Sequence, residues 1–498
     1  MSTLSVSSAY TKIRALVDNI TTDALPPPSS IVAGVESLPA NLTAHGIGEE
    51  ATERHLLSDI CPGFNGPKTS PNYYGFVTGG VFPIAEVADN IVTAFDQNVS
   101  VHLPEQSIST IVEDKALSML VELLKLDNGK WQGRTFTTGA TGANVLGLAC
   151  GREAVISTRL RAAGESQGVG ELGLLAACAR AGVKEIQVLT TMGHSSLYKA
   201  ASVVGIGRAS VKDIPFSARE PWKLDIAALE RELKREQDGI VSIVALSAGE
   251  VNTGRFATTG SSSVAQIRDL CTKYGSWLHV DGAFGIFARS LPENAEFAAL
   301  RTASCGLDLA DSITGDGHKM LNVPYDCGFF LTRSDATLSA VFQNPNAAYL
   351  ATSGPSSIPS PLNIGLENSR RFRALPVYAV LLAYGSAGLA EMFTRQVRLA
   401  RGIAAYVQES AEYELLAQGE DEKGDYGNTH IIVIFRARDE VLNRELVSKI
   451  NETREIYVSG TKWDGRPACR VAVSTWRVEV ERDVELVRGV LEGVSSNG

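Results

Sequence analysis

Lys319 stands in ADSITGDGHKMLNVPYDCGFF (310–330), downstream of Asp281 in WLHVDGAFGIFA (277–288). Each follows an apolar, strand-like run. An amine and a buried acid in that order suit pyridoxal phosphate (PLP) chemistry. The lysine can form a Schiff base with the cofactor aldehyde. The acid can pair with the pyridinium nitrogen and keep the ring an electron sink. Neither residue is telling alone, since a lone Lys is usually a solvated charge and a lone Asp after a strand is usually a turn or cap.

Two further stretches lie upstream in the order this chemistry needs. In RTFTTGATGANVLGLACGRE (134–153) a β-rich run, Arg134 to Thr138, meets Gly139, Ala140 and Thr141. A helical pattern is read from Ala143. Small residues at such a turn let backbone N–H groups approach a phosphate at a helix start. An ordinary strand-to-helix connection has the same appearance, and no GxGxxG or GxxxxGK[ST] fingerprint is present. The second stretch is LTTMGHSSLYKAASVVGIG (189–207), where His194 follows a β-rich run. An imidazole there can lie over an aromatic cofactor, or can simply open a helix.

Together these stretches resemble the group II PLP-dependent decarboxylases, which act on aromatic amino acids, glutamate, diaminobutyrate and related substrates. The resemblance runs from about residue 50 to 495. TTGATGAN (137–144) is similar to the family's phosphate loop, and the HSS turn supplies its ring-stacking histidine, His194. VDGA (280–283) implies Asp281 at the ring nitrogen and Ala283 against the other ring face. His318-Lys319 matches the family's HK pair. ENSRRFRALPVYAVLLAYG (367–385) implies that Ser369, with Arg370 as a further choice, serves the partner subunit's cofactor. AGEVNTGRF (248–256) implies Asn252 near the cofactor's 3′-oxygen. The catalytic set is therefore Lys319, His194 and Asp281. The cofactor-binding set adds Gly139, Ala140, Thr141, Asn252, Ala283, His318 and Ser369.

One departure from the family pattern matters. After Phe342, a Ser-, Pro-, Gly- and Asn-rich stretch runs to Arg371. Its composition predicts a mobile loop over 351–371. Aromatic decarboxylases carry a proton-donating tyrosine there. Between Ala351 and Arg371 this chain has no Tyr, His or Cys. His194 or water is then the expected donor, or the outcome is not simple decarboxylation. The expected reaction is decarboxylation of an L-amino acid to an amine and CO₂. Oxidative decarboxylation–deamination to an aldehyde, carbon–carbon lysis and a non-catalytic PLP-binding role are the alternatives. Retention of both Lys319 and Asp281 weighs against the last. For the substrate, Tyr73, Tyr74 and Phe76 suit an apolar side chain, whereas His102 and Glu105 suit a polar one.

The elements that position these residues can also be read. At 498 residues, 44% hydrophobic and 20% charged, the chain is long enough for more than one domain around a large core. Short β-rich runs alternate with helical patterns over 86–385. This implies a largely parallel sheet flanked by helices, with ligands at the strands' carboxyl ends. The resemblance implies fold type I of the PLP enzymes. Residues 1–85 read as an N-terminal helical arm, which the resemblance implies wraps a homodimer partner, and 386–498 as a small α+β domain with strands expected at 431–437, 454–459 and 469–475. The net charge of −10 argues against nucleic-acid and anionic-membrane partners. Seven cysteines without CxxC spacing read as reduced thiols, seven histidines lack metal-ligand spacing, and no signal or spanning segment is found. A cytoplasmic enzyme with no metal is expected.

Overall fold

The computed structural model describes residues 4–18, 23–42, 44–64, 66, 70–345, 358–419, 422 and 424–496. A seven-stranded sheet forms the centre. Its strands are β1 (Gly133–Thr137), β2 (Glu185–Thr190), β3 (Val211–Asp213), β4 (Ile240–Ser247), β5 (Trp277–Asp281), β6 (Ser312–Asp316) and β7 (Gly328–Thr332), in the order β1-β7-β6-β5-β4-β2-β3. Only β7 runs against its neighbours. Side chains alternate between faces along each strand. Val241, Ile243 and Ala245 of β4 therefore join helix Ala140–Ala162 in one core, while Val244 and Leu246 face a second core with helices Ser109–Leu123 and Ser261–Lys273. Burial on both faces explains why β4 reads as a continuous apolar run rather than an alternating one.

A separate antiparallel sheet, ordered β10-β11-β9-β8, lies toward the C-terminus: β8 (Tyr413–Leu415), β9 (Ile432–Ala437), β10 (Ser459–Trp463) and β11 (Arg466–Ala472). It packs with helices Glu440–Glu452 and Val480–Ser496. Helix Ala374–Glu409 ties the two units together. It is long and apolar enough to cross a bilayer, but it packs against helices Pro83–Ala94 and Ser109–Leu123 at one end and Val480–Ser496 at the other. It breaks at Gly385, where φ is 58°.

Two sequence expectations fail here. REIYVS (454–459) is not a strand; β10 begins at Ser459. Arg454 adopts φ 63°, and the Asn451 side chain bonds both the N–H (2.8 Å) and the carbonyl (3.1 Å) of Val458, removing them from any ladder. The mobile-loop expectation also needs correction. Residues 351–357 lie outside the described residues, but from Ile358 the chain is packed. His102 N–H donates to Ser360 Oγ at 3.0 Å, Leu362 N–H donates to the Ser100 carbonyl at 3.0 Å, and Leu362 is buried. Arg370 is buried in an ion pair with Glu113 and donates to the Phe136 carbonyl at 3.1 Å. Removing one member of such a buried pair strands the other, so Arg370 serves the fold and is not free for a phosphate. Ser/Pro composition does not reveal a distant acid.

Candidate active site

Asp281 ends β5, where Oδ2 accepts from Asn144 Nδ2 at 2.9 Å and Oδ1 from the Ala283 N–H at 3.3 Å. Asn144 lies in the second turn of helix Ala140–Ala162 and is fully buried. With its amide nitrogen donating, its Oδ1 must accept, and the group 2.9 Å away is His279 Nε2. His279 therefore carries its proton on Nε2, and Nδ1 accepts from Ser312 Oγ at 2.8 Å. Burial pushes the His279 pKa down to about 4 against the pull of Asp281, so the ring is neutral near neutral pH. A side chain at Gly147 would meet this ring at 2.5 Å, which explains a glycine inside the helix.

The same amide reaches His194. Asn144 Nδ2 also donates to Ser196 Oγ at 3.1 Å, and Ser196 Oγ lies 2.7 Å from His194 Nδ1. The Ser196 N–H donates to that Nδ1 as well, at 3.1 Å. His194 thus caps helix Ser195–Val203 through Nδ1, leaving Nε2 as its proton-bearing nitrogen. Burial lowers its pKa; Asp281 and Asp316 oppose that shift, while Lys319 and Arg470 add to it. One histidine thereby senses the charges of four residues from distant parts of the chain.

Lys319 sits in the short helix Gly317–Met320, directly after β6. Its Nζ lies 2.9 Å from Oδ2 of Asp316, a carboxylate only 3% exposed. Asp316 Oδ1 accepts from the Ala140 N–H at 2.6 Å. The lysine turn is pinned by Asn322, whose φ is 51°. Its Nδ2 donates to the carbonyls of Lys319 (3.2 Å), Met320 (2.9 Å) and Ser474 (3.0 Å), and its Oδ1 accepts from the Trp476 N–H at 2.9 Å. His318 accepts at Nδ1 from the Cys327 N–H (3.2 Å) and packs on Tyr325 with ring centroids 4.4 Å apart.

The structure thus brings together Lys319, Asp281, His194, His318, Gly139 and Ala140, with Ala283 beside Asp281 and Thr141 exposed in the helix's first turn. Two sequence-predicted residues do not join this hydrogen-bonded set. Asn252 bonds the C-terminal unit instead, accepting from Thr461 Oγ1 at 2.6 Å and donating to the Lys462 carbonyl at 3.3 Å. Ser369 is exposed on the chain's surface. His102 is a core residue bonded to Thr110 (2.7 Å), not a surface group facing a polar substrate. Tyr74 is fully buried, and Tyr73 stacks on Tyr457 at 4.6 Å, its phenol pushed up to about 12 mainly by burial.

Sequence reasoning missed Asn144, His279, Asp316 and Arg470. His279 had a signal: it lies two residues before Asp281 and so shares its strand face. Asp316 precedes Lys319 by one short helical turn, also a readable spacing. Arg470 had none. It is buried, and it donates from Nε to the Val251 carbonyl and from Nη1 to the Phe76 carbonyl, both at 2.8 Å. Its Nη2 has no hydrogen-bond partner among the described residues.

These residues fit PLP. In the first turn of helix Ala140–Ala162 the N–H groups of Thr141 and Gly142 have no carbonyl within the helix to bond, and the helix dipole favours a phosphate there. A Cβ on Gly139 would approach His318 Cε1 (3.2 Å) and Asp316 Oδ1 (3.4 Å), so the glycine keeps this cradle open. Lys319 offers an amine, and Asp281 a carboxylate fixed from both sides.

A mostly parallel sheet carrying a lysine, a fixed acid and a phosphate turn defines the class of PLP-dependent enzymes. The chain belongs to the pyridoxal-dependent decarboxylases: the pyridoxal-dependent decarboxylase conserved domain matches residues 67–425. It is a PLP-dependent carboxy-lyase of amino acids. Tryptophan decarboxylase 1 of Oryza sativa subsp. japonica is 27% identical over 460 residues, covering 86% of this chain and 80% of the relative. The structure of Oryza sativa TDC with PLP and tryptamine superposes with a TM-score of 0.81 at 23% identity, covering 100% of this chain and 99% of that one. Rhodiola rosea 4-hydroxyphenylacetaldehyde synthase gives a TM-score of 0.78 at 20% identity, covering 99% of each chain.

Proposed function

We propose that Lys319, Asp281 and His194 carry the decarboxylation of an L-amino acid in this chain. The observation that carries the assignment is the hydrogen-bonded set running from the first turns of helix Ala140–Ala162 to the ends of β5 and β6. When bound, PLP supplies an aldehyde that captures amines and a ring that withdraws electrons from the substrate Cα. Lys319 Nζ is the amine that holds the cofactor between turnovers. Asp281, fixed by Asn144 and the Ala283 N–H, keeps a negative charge at the position of the ring nitrogen. His194 holds a proton at Nε2 because Ser196 occupies Nδ1, and it delivers that proton to the product carbon. Arg470 is buried and adds to the depression of the His194 pKa, which favours the neutral ring.

A second outcome, oxidative formation of an aldehyde, is favoured by one observation: no Tyr, His or Cys stands between Ala351 and Arg371. A panel of amino acids assayed for CO₂, amine, aldehyde and peroxide separates the two. We expect CO₂ and amine in equal amounts from the wild type. His194→Gln should slow product protonation more than CO₂ release and raise the aldehyde fraction. An unchanged product ratio and solvent isotope effect would reduce His194 to a stacking residue.

We further propose a homodimer in a reducing, cytoplasmic setting. All seven cysteines are unpaired, which supports the latter. Ile84, Val87, Ile91 and Phe95 are exposed along one face of helix Pro83–Ala94 and its end, and Val32, Val35 and Leu38 are exposed on the arm. A second copy would cover these apolar stripes. Ser369 would then reach the partner's cofactor. Light scattering should give a dimer, and Lys319→Ala mixed with Ser369→Arg should regain activity in the heterodimer. A fully active monomer would exclude shared sites.

A further inference from the structure

We propose that Asp316 is the gate on cofactor loading, because it holds the two groups that the cofactor must engage. Oδ1 takes the Ala140 N–H at 2.6 Å, the first amide of the phosphate turn. Oδ2 takes Lys319 Nζ at 2.9 Å. The carboxylate is 3% exposed, so water offers little competition for either group. The inference rests on the reading that PLP binds between this turn and Lys319.

The physical argument is a contest between two anions. A helix N-terminus attracts negative charge, and Asp316 supplies it at the Ala140 N–H. A phosphate drawn to the N–H groups of Thr141 and Gly142 meets a carboxylate already bonded to the adjacent Ala140 N–H. Two like charges a few ångströms apart in a partly buried site repel strongly. Lys319, meanwhile, must leave its ion pair to reach an aldehyde. Loading would therefore be an exchange in which Asp316 gives up the Ala140 N–H and the Lys319 amine. His318, with Nε2 3.6 Å from Asp316 Oδ1, is the neighbour positioned to follow that movement. His194 also feels Asp316, so the charge rearrangement extends to the other side of the site.

Asp316→Asn keeps an oxygen for the Ala140 N–H but lacks the charge. Asp316→Ala removes both interactions. The test uses the full chain stripped of cofactor and titrated with PLP by absorbance, for equilibrium and on-rate. Inorganic phosphate serves as a competitor in a parallel series. Both variants should bind PLP about tenfold more tightly, with faster loading, and should also be inhibited by about tenfold less inorganic phosphate. The phosphate series matters because a merely structural aspartate would leave it unmoved. Unchanged or weaker PLP binding in Asp316→Asn, with the melting curve preserved, would overturn the gate and make Asp316 a supporting ligand. If neither the wild type nor the variants bind PLP at all, the cofactor reading of the site itself fails and the gate falls with it.

Discussion

Lys319→Ala is expected to reduce turnover to background, the largest effect of any single substitution in the chain. No other lysine is tied to this cluster by a hydrogen bond or ion pair among the described residues. Its Nζ is held 2.9 Å from a buried carboxylate and 5.8 Å over the Phe284 ring, so it arrives at one place rather than sampling several. Removing the amine removes the covalent hold on the cofactor, which no neighbouring group can replace. Borohydride reduction of the loaded wild-type protein, followed by peptide mapping, should find the cofactor on the peptide containing Lys319. An adduct on a different lysine would refute the assignment, as would measurable turnover in the alanine variant. A preserved melting curve in Lys319→Ala separates lost chemistry from lost fold.

Asp281→Asn is expected to lower kcat/KM by at least about 10²-fold, the scale of losing one preorganised electrostatic partner. The shape is nearly kept, but two things change. The formal charge is gone. In addition, Asp281 accepts from two donors, Asn144 Nδ2 and the Ala283 N–H. An asparagine has only one oxygen, so one of those donors must face an NH₂ group. The second effect feeds back on Asn144, and through it on His279 and Ser196. Asp281→Asn should therefore disturb His194 as well as the ring-nitrogen position. Assays at saturating cofactor isolate the electrostatic loss. Activity within about threefold of wild type would mean that Asp281 is not the pyridinium partner.

The local part of this site could be read from the sequence. Asp281 ends a run of strand-forming residues, His194 follows another, and HK marks the lysine turn. What stayed hidden depends on partners far along the chain. Asn144 meets Asp281 across 137 positions, and Asp316 meets Ala140 across 176. No local spacing reports such meetings. β6, SITGD, was read as the strand-like run before Lys319 but without bounds, because glycine weakens a strand pattern. Its Gly315 is imposed by a neighbour: a Cβ there would lie 2.1 Å from the Phe329 ring on β7. Asn252 and Ser369 came from resemblance alone, and neither makes a hydrogen bond to the cluster among the described residues. The β-rich runs 186–190, 240–246, 277–280 and 328–331 match β2, β4, β5 and β7 within one residue at either end, because burial on both faces gives largely apolar runs.

The position of β1 has a consequence for how the protein is made. β1 is an edge strand whose one ladder is with β7, Gly133 facing Thr332 and Thr137 facing Gly328. The phosphate turn follows β1 directly, yet its strand finds a neighbour only after β6 and β7 have left the ribosome. Until then a nascent chain exposes an unpaired strand next to a half-built cradle. Pairings between distant segments form slowly, and unpaired edges invite aggregation. A polypeptide halted before Thr332 would carry the turn without the lysine turn anchored against it. The cofactor therefore cannot template early folding, since the turn and Lys319 that would hold it are brought together only late in synthesis.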